Sequence, residues 1–348
     1  MKAVFSLLLS STLVSAGASV YKKRVTGEDL DTGHRWHVAG TDLGIPYVLE
    51  NGSIGFLFGD TFGTQWPDDG IEWRSPVMLR SAVHPGEEDG IIFDSAAGVA
   101  GDGLAPEIMH NGHTGSDGAG ATEYSVIPND GISFPETGEQ FVSYMSIQDW
   151  TAPWKTNYAG LARSTDGNTF TRLDTKWQNN PENTDPFQMW TLQRDGDYVY
   201  AFSVRSGRQP GPMMLQRVPW QKIADQSAYE GWGWNGTTWA WGREPSAILE
   251  GNFGEPSVRK LSGGTWAMVY LNLDTLSIVS RTAKGPDEVW SDEKVQVTFE
   301  EEPNLYGGFI HPWSTSEEND LHIMVSKWTR DDAGRSTAYH VSQYVGTL

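Results

Sequence analysis

Two carboxylates frame an apolar hairpin predicted over residues 41–62. Asp42 begins its first strand and Asp60 ends its second, with Asn51-Gly52 at the turn between them. If the turn is centred on Asn51, antiparallel pairing sets Asp42 opposite Asp60, with Cβ atoms ~5 Å apart. Two such carboxylates cannot both ionise cheaply in a water-poor cleft, so their pKa values separate into those of an acid and of a base or nucleophile. A two-residue turn would instead shift the register by one and place the two acids on different faces of the hairpin.

Paired carboxyl groups of this kind are the catalytic groups of most glycoside hydrolases. One carboxyl group protonates the leaving oxygen, and another acts as base or nucleophile. Glu255, between Gly254 and Pro256, is the third candidate catalytic carboxylate. The alternative for Asp42 or Asp60 alone is a hydrogen bond to backbone amides at a strand end. Retention and inversion of configuration both stay open, because the carboxyl separation decides between them.

Aromatic and polar side chains near these carboxylates are candidate sugar contacts. Indole rings suit the apolar faces of sugars, although a single Trp is more commonly packed in a core. Trp150 and Trp154 are the strongest candidates, because a proline-containing loop is not expected to bury them in a sheet. The predicted substrate-binding residues are Trp66, Arg74, Trp150, Trp154, Asn157, Gln188, His311 and Trp313.

The elements that must position these residues are strands. Five correlated strand triplets recur along the chain, and no long stretch has a helical period; residues 220–228 predict at most a short helix. A repeated unit of this kind predicts a five-bladed β-propeller, all-β and a single domain over 34–348, with a β-sandwich as the alternative. The second strands of the five units are predicted at 53–60, 140–146, 198–203, 265–271 and 321–327.

The first strand of each blade lines the central channel of a propeller. Those strands carry Asp42, Asn129, Gln188, Glu255 and His311, which predicts a polar pocket on the axis. The segment 34–38 is the predicted closing strand of the last blade.

Composition limits the partners. The 348 residues carry 45 acidic and 25 basic side chains, a net charge of -20 that disfavours nucleic acid and anionic membranes. We expect a polysaccharide substrate and a monomer. The chain contains no cysteine, so burial and sheet pairing must supply its stability without disulfides.

The amino terminus predicts export. Residues 1–18 have one lysine, an apolar run and a small-residue end, which is typical of a secretory signal, and the run is short for a membrane anchor. A secreted, extracellular protein is expected, with 19–33 as a linker or pro-segment that includes the basic pair Lys23-Arg24. Glycosylation patterns begin at Asn51 and Asn235.

Other chemistries have weaker support. His110 and His113 lie in a glycine-rich loop without a His-Glu-x-x-His run, and we interpret them as solvated rather than as zinc ligands. A Gly-x-Ser-x-Gly elbow is absent from the sequence, so a serine hydrolase is not supported. No metal site and no cofactor are predicted; a structural Ca²⁺ held by surplus acids stays open.

Several motifs together resemble one family. They include Thr41–Gly44, Phe58–Phe62, Trp73–Ser75, Leu79–Ser81, Tyr144–Ile147, Thr156–Gly160, Tyr198–Tyr200, Gly207–Arg208, Gly254–Glu255 and Tyr306–Ser314. In this order they are similar to a secreted five-bladed propeller family, first catalogued as a domain of unknown function, whose characterised members are endo-D-arabinanases. The resemblance runs from about Gly40 to about Trp328 and implies that Asp42 and Asp60 are the catalytic aspartates.

The expected function is therefore that of a secreted endo-D-arabinanase acting on arabinogalactan or lipoarabinomannan of the mycobacterial type. Two alternatives remain. One is a non-catalytic, lectin-like propeller that binds sugar, and the other is a hydrolase of a different furanoside polymer. Pro256 departs from the apolar residue expected in the family, which leaves the local geometry at Glu255 open.

Overall fold

A computed structural model describes residues 17–114 and 123–348. Strands dominate it and form five sheets, one for each blade of a propeller. The predicted fold class, an all-β five-bladed propeller in a single domain, is confirmed. Most of the predicted signal, residues 1–16, lies outside the described part of the chain. Among the described residues, no helix has the length and apolar character required to cross a bilayer.

The first two blades have four strands each, and a short amino-terminal segment precedes them. That segment holds strand β1 (Ser19–Arg24) and helix α1 (Asp31–Trp36). Blade 1 contains β2 (Gly40–Val48), β3 (Ile54–Phe62), β4 (Val77–Ser81) and β5 (Ser95–Ala96), with a 3-10 turn at Pro67–Asp69. Blade 2 contains β6 (Ser125–Phe134), β7 (Glu139–Asp149), β8 (Lys155–Ser164) and β9 (Thr171–Gln178).

Blade 3 is larger than the others because an extra hairpin extends it. Its strands are β10 (Met189–Asp195), β11 (Tyr198–Val204), β12 (Pro210–Pro219), β13 (Glu230–Trp234), β14 (Trp239–Arg243) and β15 (Leu249–Asn252). The short helical turns predicted within 220–228 are the 3-10 turns Trp220–Lys222 and Gln226–Ala228.

Blades 4 and 5 return to four strands. Blade 4 contains β16 (Ser257–Lys260), β17 (Trp266–Asn272), β18 (Ser277–Ala283) and β19 (Lys294–Val297). Blade 5 contains β20 (Leu305–Ile310), β21 (Leu321–Arg330) and β22 (Ser336–Gly346), and β1 is its outermost strand.

The closing strand differs from the prediction. Residues 34–36 belong to α1, so the segment 34–38 closes no blade. Instead β1 pairs antiparallel with β22, from Ser19–Gly346 to Arg24–Ser342. Residues 19–24 are therefore part of the propeller and not a linker, and Lys23-Arg24 lies within a paired strand. Joining the two ends of the chain in one blade closes the ring and covers an exposed strand edge.

The inner strands β2, β6, β10, β16 and β20 contact one another in sequence around the axis, and β20 contacts β2. A buried ion pair fills the middle of this ring, with Arg259 Nη2 2.8 Å from Asp130 Oδ1. The guanidinium also donates to the carbonyl of Pro46 (2.8 Å), and Asp130 accepts from Thr191 Oγ1 and the amide of Leu192 (both 2.8 Å). This network joins four blades, because its members come from β2, β6, β10 and β16.

Candidate active site

The register of the β2–β3 hairpin confirms the turn prediction. Val48 pairs with Ile54 and Thr41 with Thr61, as a turn centred on Asn51 requires. Pairing becomes irregular immediately after Thr41, where β3 has one extra residue. As a result Asp42 faces both Gly59 and Asp60 across the hairpin.

A second bulge restores the register on the β2 side. Leu43 and Gly44 both have left-handed backbone, with φ of 68° and 70°. For leucine this conformation is strained, so neighbouring structure must hold it. Ser326 of blade 5 provides that support, since its Oγ accepts from the Leu43 amide at 2.7 Å and its hydroxyl reaches the Leu43 carbonyl at 3.4 Å. The paired bulges therefore fix the backbone from which the Asp42 side chain projects.

Asp42 lies in a pocket that favours its neutral form. Its Oδ2 accepts from the Tyr306 hydroxyl at 3.0 Å, whereas its Oδ1 is buried without a hydrogen-bond partner among residues 17–114 and 123–348. Burial raises the pKa of Asp42 to about 7, and the charge of Asp60 adds to this effect. Hydrogen bonds from Tyr306 and Tyr339 oppose the rise in pKa, and Glu255 contributes slightly to it.

Asp60 accepts hydrogen bonds from a different pair of side chains. Its Oδ1 accepts from Trp73 Nε1 and from Ser125 Oγ, both at 2.8 Å. Burial raises the pKa of Asp60, and these two hydrogen bonds oppose the rise because they stabilise the anion. His113 packs edge-to-face on Trp73 (centroids 4.5 Å apart) and pairs with Glu107.

Glu255 lies at the same mouth of the channel and is neutralised by an arginine. Arg208 Nη2 is 2.7 Å from Glu255 Oε1, and its guanidinium lies 4.9 Å above the Tyr306 ring. Glu255 precedes β16 instead of lying on it. The carboxylate is thus connected to Asp42 through Arg208 and Tyr306, an arrangement that can orient the Asp42 side chain.

These groups can divide acid and base work. Asp42, with its pKa near neutrality, keeps a proton that it can give to a leaving oxygen. The hydrogen bonds from Trp73 and Ser125 stabilise the anion of Asp60 against the rise in pKa caused by burial, and this carboxylate can act as nucleophile or base.

A cleft of about 700 Å³ lies at blade 2, whose residue Ser125 contacts Asp60. Gly112 and Thr114, the neighbours of His113, line it, as does Glu123, two residues before Ser125. Glu123 forms a bidentate pair in which Arg172 Nη1 and Nη2 each lie 2.7 Å from one of its oxygens. Side-chain amides and hydroxyls form much of the wall: Ser146, Gln148, Thr156, Asn157, Tyr158, Gln178, Asn179 and Asn180. The volume is within the ~300–1,000 Å³ range of ligand pockets.

Two predicted substrate-binding residues make hydrogen bonds within the protein. Arg74 is buried and donates to the carbonyls of Ala105 (3.1 Å) and His37 (2.6 Å), and burial lowers its pKa to about 10. Gln188 is buried too, accepts from Thr156 Oγ1 and donates to Asp185 Oδ1, both at 2.8 Å. The described hydrogen bonds of both side chains go to protein groups, and their role in substrate binding stays a prediction.

His311 and Trp313 lie at the opposite mouth. Asp42 lies near the start of β2 and Tyr306 near the start of β20, whereas His311 follows the end of β20. His311 is fully buried, its Nδ1 accepts from the Trp313 amide at 3.2 Å, and burial holds its pKa well below the ordinary value. Trp313 stacks on His84, with centroids 5.6 Å apart. The structure does not bring either predicted residue to the carboxylates.

The remaining predicted contacts divide between the rim and the core. Trp66 follows β3 at the mouth that holds the acids and lines a cavity of about 350 Å³, and Asn157 lines the large cleft. Trp150 is 38% exposed, but Trp154 is only 9% exposed and packs against it edge-to-face, at 5.5 Å. The expectation that the proline-containing loop leaves Trp154 exposed is wrong, because this ring joins the core.

The sequence analysis missed several residues around the two aspartates. Tyr306 and Arg208 appeared only within family motifs, and Tyr339 and Ser125 gave no local signal. His113 was interpreted as solvated, yet it is partly buried next to Trp73. Within the described ranges, no group of three or more histidines and carboxylates has metal-binding geometry.

Comparison with known proteins identifies the family. The sequence profile described as "Domain of unknown function (DUF4185)" matches residues 28–345. The chain belongs to the DUF4185 family. A 60% identical relative, over 98% of this chain and 96% of its own length, is "Notoamide biosynthesis cluster protein J'" of Aspergillus versicolor.

Solved structures share the DUF4185 propeller at low sequence identity. A Bacteroides ovatus protein described as a presumed hydrolase superposes with a TM-score of 0.58 and 17% identity, covering 89% of this chain and 86% of its own. An alpha-L-arabinofuranosidase from Podospora anserina, in complex with cellotriose, has a TM-score of 0.50 and 10% identity over 95% and 98% of the two chains. The fold is therefore one that glycoside hydrolases use.

Proposed function

We propose that this DUF4185 protein is a secreted glycoside hydrolase that cleaves a furanoside polysaccharide, with D-arabinan as the expected substrate. The observation that carries the proposal is the pair Asp42 and Asp60, set across one hairpin in environments that differ. Asp42 is the acid that protonates the leaving oxygen, and Asp60 is the nucleophile or base.

The surroundings support this division of roles. Tyr306 donates to Asp42, and its ring carries the Arg208 guanidinium, so the acid has a fixed orientation. Trp73 and Ser125 fix the Asp60 carboxylate in the same way. Fixed reacting groups reduce the reorganisation that the transition state requires. We expect retention of configuration, because the two acids occupy facing positions on paired strands.

The cleft at blade 2 supports a polymeric substrate. It is lined by amides and hydroxyls, which suit hydrogen bonds to sugar, and Glu123, its partly buried acid, is paired with Arg172. A chain that crosses Asp60 and continues into the cleft would place several sugar units on the protein, as endo cleavage requires.

The test is product release from purified D-arabinan by the wild type and three isosteric variants. We expect Asp42→Asn and Asp60→Asn each to lower the release of oligosaccharides by at least ~10³-fold while the thermal unfolding curve shows a folded protein. Asp320→Asn, at the opposite mouth, is the matched control and should retain activity. NMR of the first-formed anomer reads the stereochemistry directly.

Two outcomes would contradict the proposal in different ways. A folded Asp60→Asn protein with full activity removes the catalytic assignment. Binding of the polymer without any product, equally in all variants, indicates instead the lectin-like alternative. The assay also includes L-arabinan and a fructan, which test the alternative of a different furanoside polymer.

A further inference from the structure

The extra hairpin of blade 3 carries a ladder of four tryptophans. Trp232 pairs with Trp241, and Trp234 pairs with Trp239, so all four indoles lie on one face of β13–β14. Their rings are in contact: Trp232 and Trp239 are stacked at 5.8 Å, and Trp232 and Trp241 meet at 5.0 Å. Cross-strand aromatic pairs stabilise an antiparallel hairpin.

The ladder continues from the core into solvent. Trp232 and Trp241 pack against the core cluster, and Arg217 lies 4.3 Å above the Trp241 ring. Trp234 ends the ladder and is 45% exposed, with Trp239 as its aromatic neighbour at 5.8 Å. An indole with this much exposed surface can pack against the apolar face of another group.

The hairpin tip next to Trp234 is an acceptor sequence for N-linked glycan. Asn235-Gly236-Thr237 matches Asn-x-Ser/Thr, and all three residues are exposed. Asn235 Oδ1 accepts from the amides of Thr237 and Thr238, both at 3.0 Å. These bonds hold the side-chain amide in one orientation, and its Nδ2 has no protein partner among the described residues.

We propose that Asn235 carries an N-linked glycan and that the first sugar ring of this glycan rests on the exposed indole of Trp234. The proposal depends on the predicted export of the chain, but not on its hydrolase activity. Transfer forms a bond from Nδ2 to the sugar C1 and breaks the bond from C1 to the pyrophosphate oxygen of a lipid-linked oligosaccharide donor. The amide proton is released and the lipid pyrophosphate is the leaving group.

Covalent attachment makes the contact favourable. A sugar tethered one residue from Trp234 is present at high effective concentration, so a weak ring contact suffices to hold it there. Covering the indole removes apolar surface from water and stabilises the hairpin.

The chain contains its own control in the second acceptor sequence, Asn51-Gly52-Ser53. Asn51 is also exposed at a hairpin turn, and its Oδ1 accepts from the Ser53 amide at 2.9 Å. No tryptophan adjoins it, because the preceding residue is Glu50 and Leu49 is buried. A glycan at Asn51 therefore has no adjacent tryptophan ring to pack on.

The experiment compares the full chain from a secreting yeast or fungal host with the same chain from a bacterial host that does not add N-glycans. Peptide mass spectrometry of the secreted protein should show glycan on Asn235, and Thr237→Val should abolish it. Thermal unfolding is then measured for wild type and Trp234→Ser from both hosts, all in a Ser53→Ala background.

We expect glycosylation to raise the Tm of the wild type by at least about 2 °C, and that of Trp234→Ser by less than half as much. An unmodified Asn235 in the secreted protein would overturn the proposed modification. An equal gain in Tm on glycosylation in both proteins would overturn the proposed contact between the sugar ring and Trp234. If Trp234→Ser does not fold, hydrogen exchange of residues 234–239 in wild type decides, since the glycan should slow exchange and equal rates refute the contact.

Discussion

Replacing Gly59 by alanine tests whether the position of the Asp42 carboxylate controls activity. Gly59 faces Asp42 across the first bulge, and an added Cβ would lie well within 3.0 Å of Asp42 Oδ1. Ordinary contact begins at 3.4 Å, so the carboxylate must withdraw by roughly 1 Å. The Gly59 backbone itself is compatible with alanine, because its φ is not positive.

A displacement of this size should be severe for chemistry and mild for folding. Misplacing a reacting group by ~1 Å costs about 10²-fold in rate. We expect the Gly59→Ala protein to lose about that factor in kcat for D-arabinan cleavage, with KM nearly unchanged because the large cleft is not altered.

The matched control is Gly55→Ala on the same strand. Its added Cβ would approach Leu49 Cδ2 (2.9 Å), Tyr47 Cε1 (3.0 Å) and Met78 Sδ (3.1 Å), all of them in the core. Overpacking there should cost ~1–3 kcal/mol of unfolding free energy while kcat persists. If Gly59→Ala retains full kcat, or if Gly55→Ala loses kcat to the same extent, the Asp42 side chain does not act as we infer.

Three further perturbations address the pH response, the axis and the closure of the ring. The pKa of Asp42 in the folded protein is about 7, against an ordinary 3.8, so the folded protein loses stability as pH rises between these values. At pH 8 the Asp42→Asn variant should therefore be more stable than wild type, by at most ~4 kcal/mol. Thermal unfolding should show no such gain in stability at pH 4. With Asp42 as the acid, kcat/KM should also fall as pH rises through about 7, in a pH-rate profile. Arg259→Met leaves Asp130 buried without its partner and should cost ~3–5 kcal/mol in denaturant titration, whereas Arg335→Met, in an exposed pair, should cost under ~1 kcal/mol. Deleting residues 19–24 from the exported chain exposes the edge of β22 and should lower the Tm, and an unchanged Tm would show that β1 does not close the ring.

The fold was predictable from sequence because its signals are local. Alternating apolar strands and glycine-bearing turns mark each blade, and their repetition indicates a propeller without knowledge of contacts. The closing strand was not predictable in this way. Ser19–Arg24 reads SVYKKR and is only partly buried, so nothing in its pattern distinguishes an outer strand from a linker. Its assignment depends on pairing with β22, more than 300 residues away.

The predicted binding residues were less reliable because sequence does not tell which end of a strand a side chain reaches. His311 was placed with the carboxylates on the assumption that it lies within an inner strand, but β20 ends at Ile310. Arg74 and Gln188 are polar residues, and their partners include carbonyl and hydroxyl groups 31 to 37 residues away in the sequence. A buried polar residue of this kind has the same local sequence pattern as an exposed one.

The two aspartates are the opposite case, in which sequence located the residues and only the fold could assign their roles. Both end apolar strands, and a register argument alone treats them as equivalent. The structure places them in different environments, because Asp42 faces Tyr306 and Tyr339 of blade 5 while Asp60 faces Trp73 and Ser125 of blades 1 and 2. Burial raises the pKa of Asp42 to about 7 despite the two tyrosine hydrogen bonds, and this burial depends on closure of the ring, which brings the last blade against the first. On the proposed assignment, a substitution that loosens blade 5 should disturb Asp42 before it disturbs Asp60.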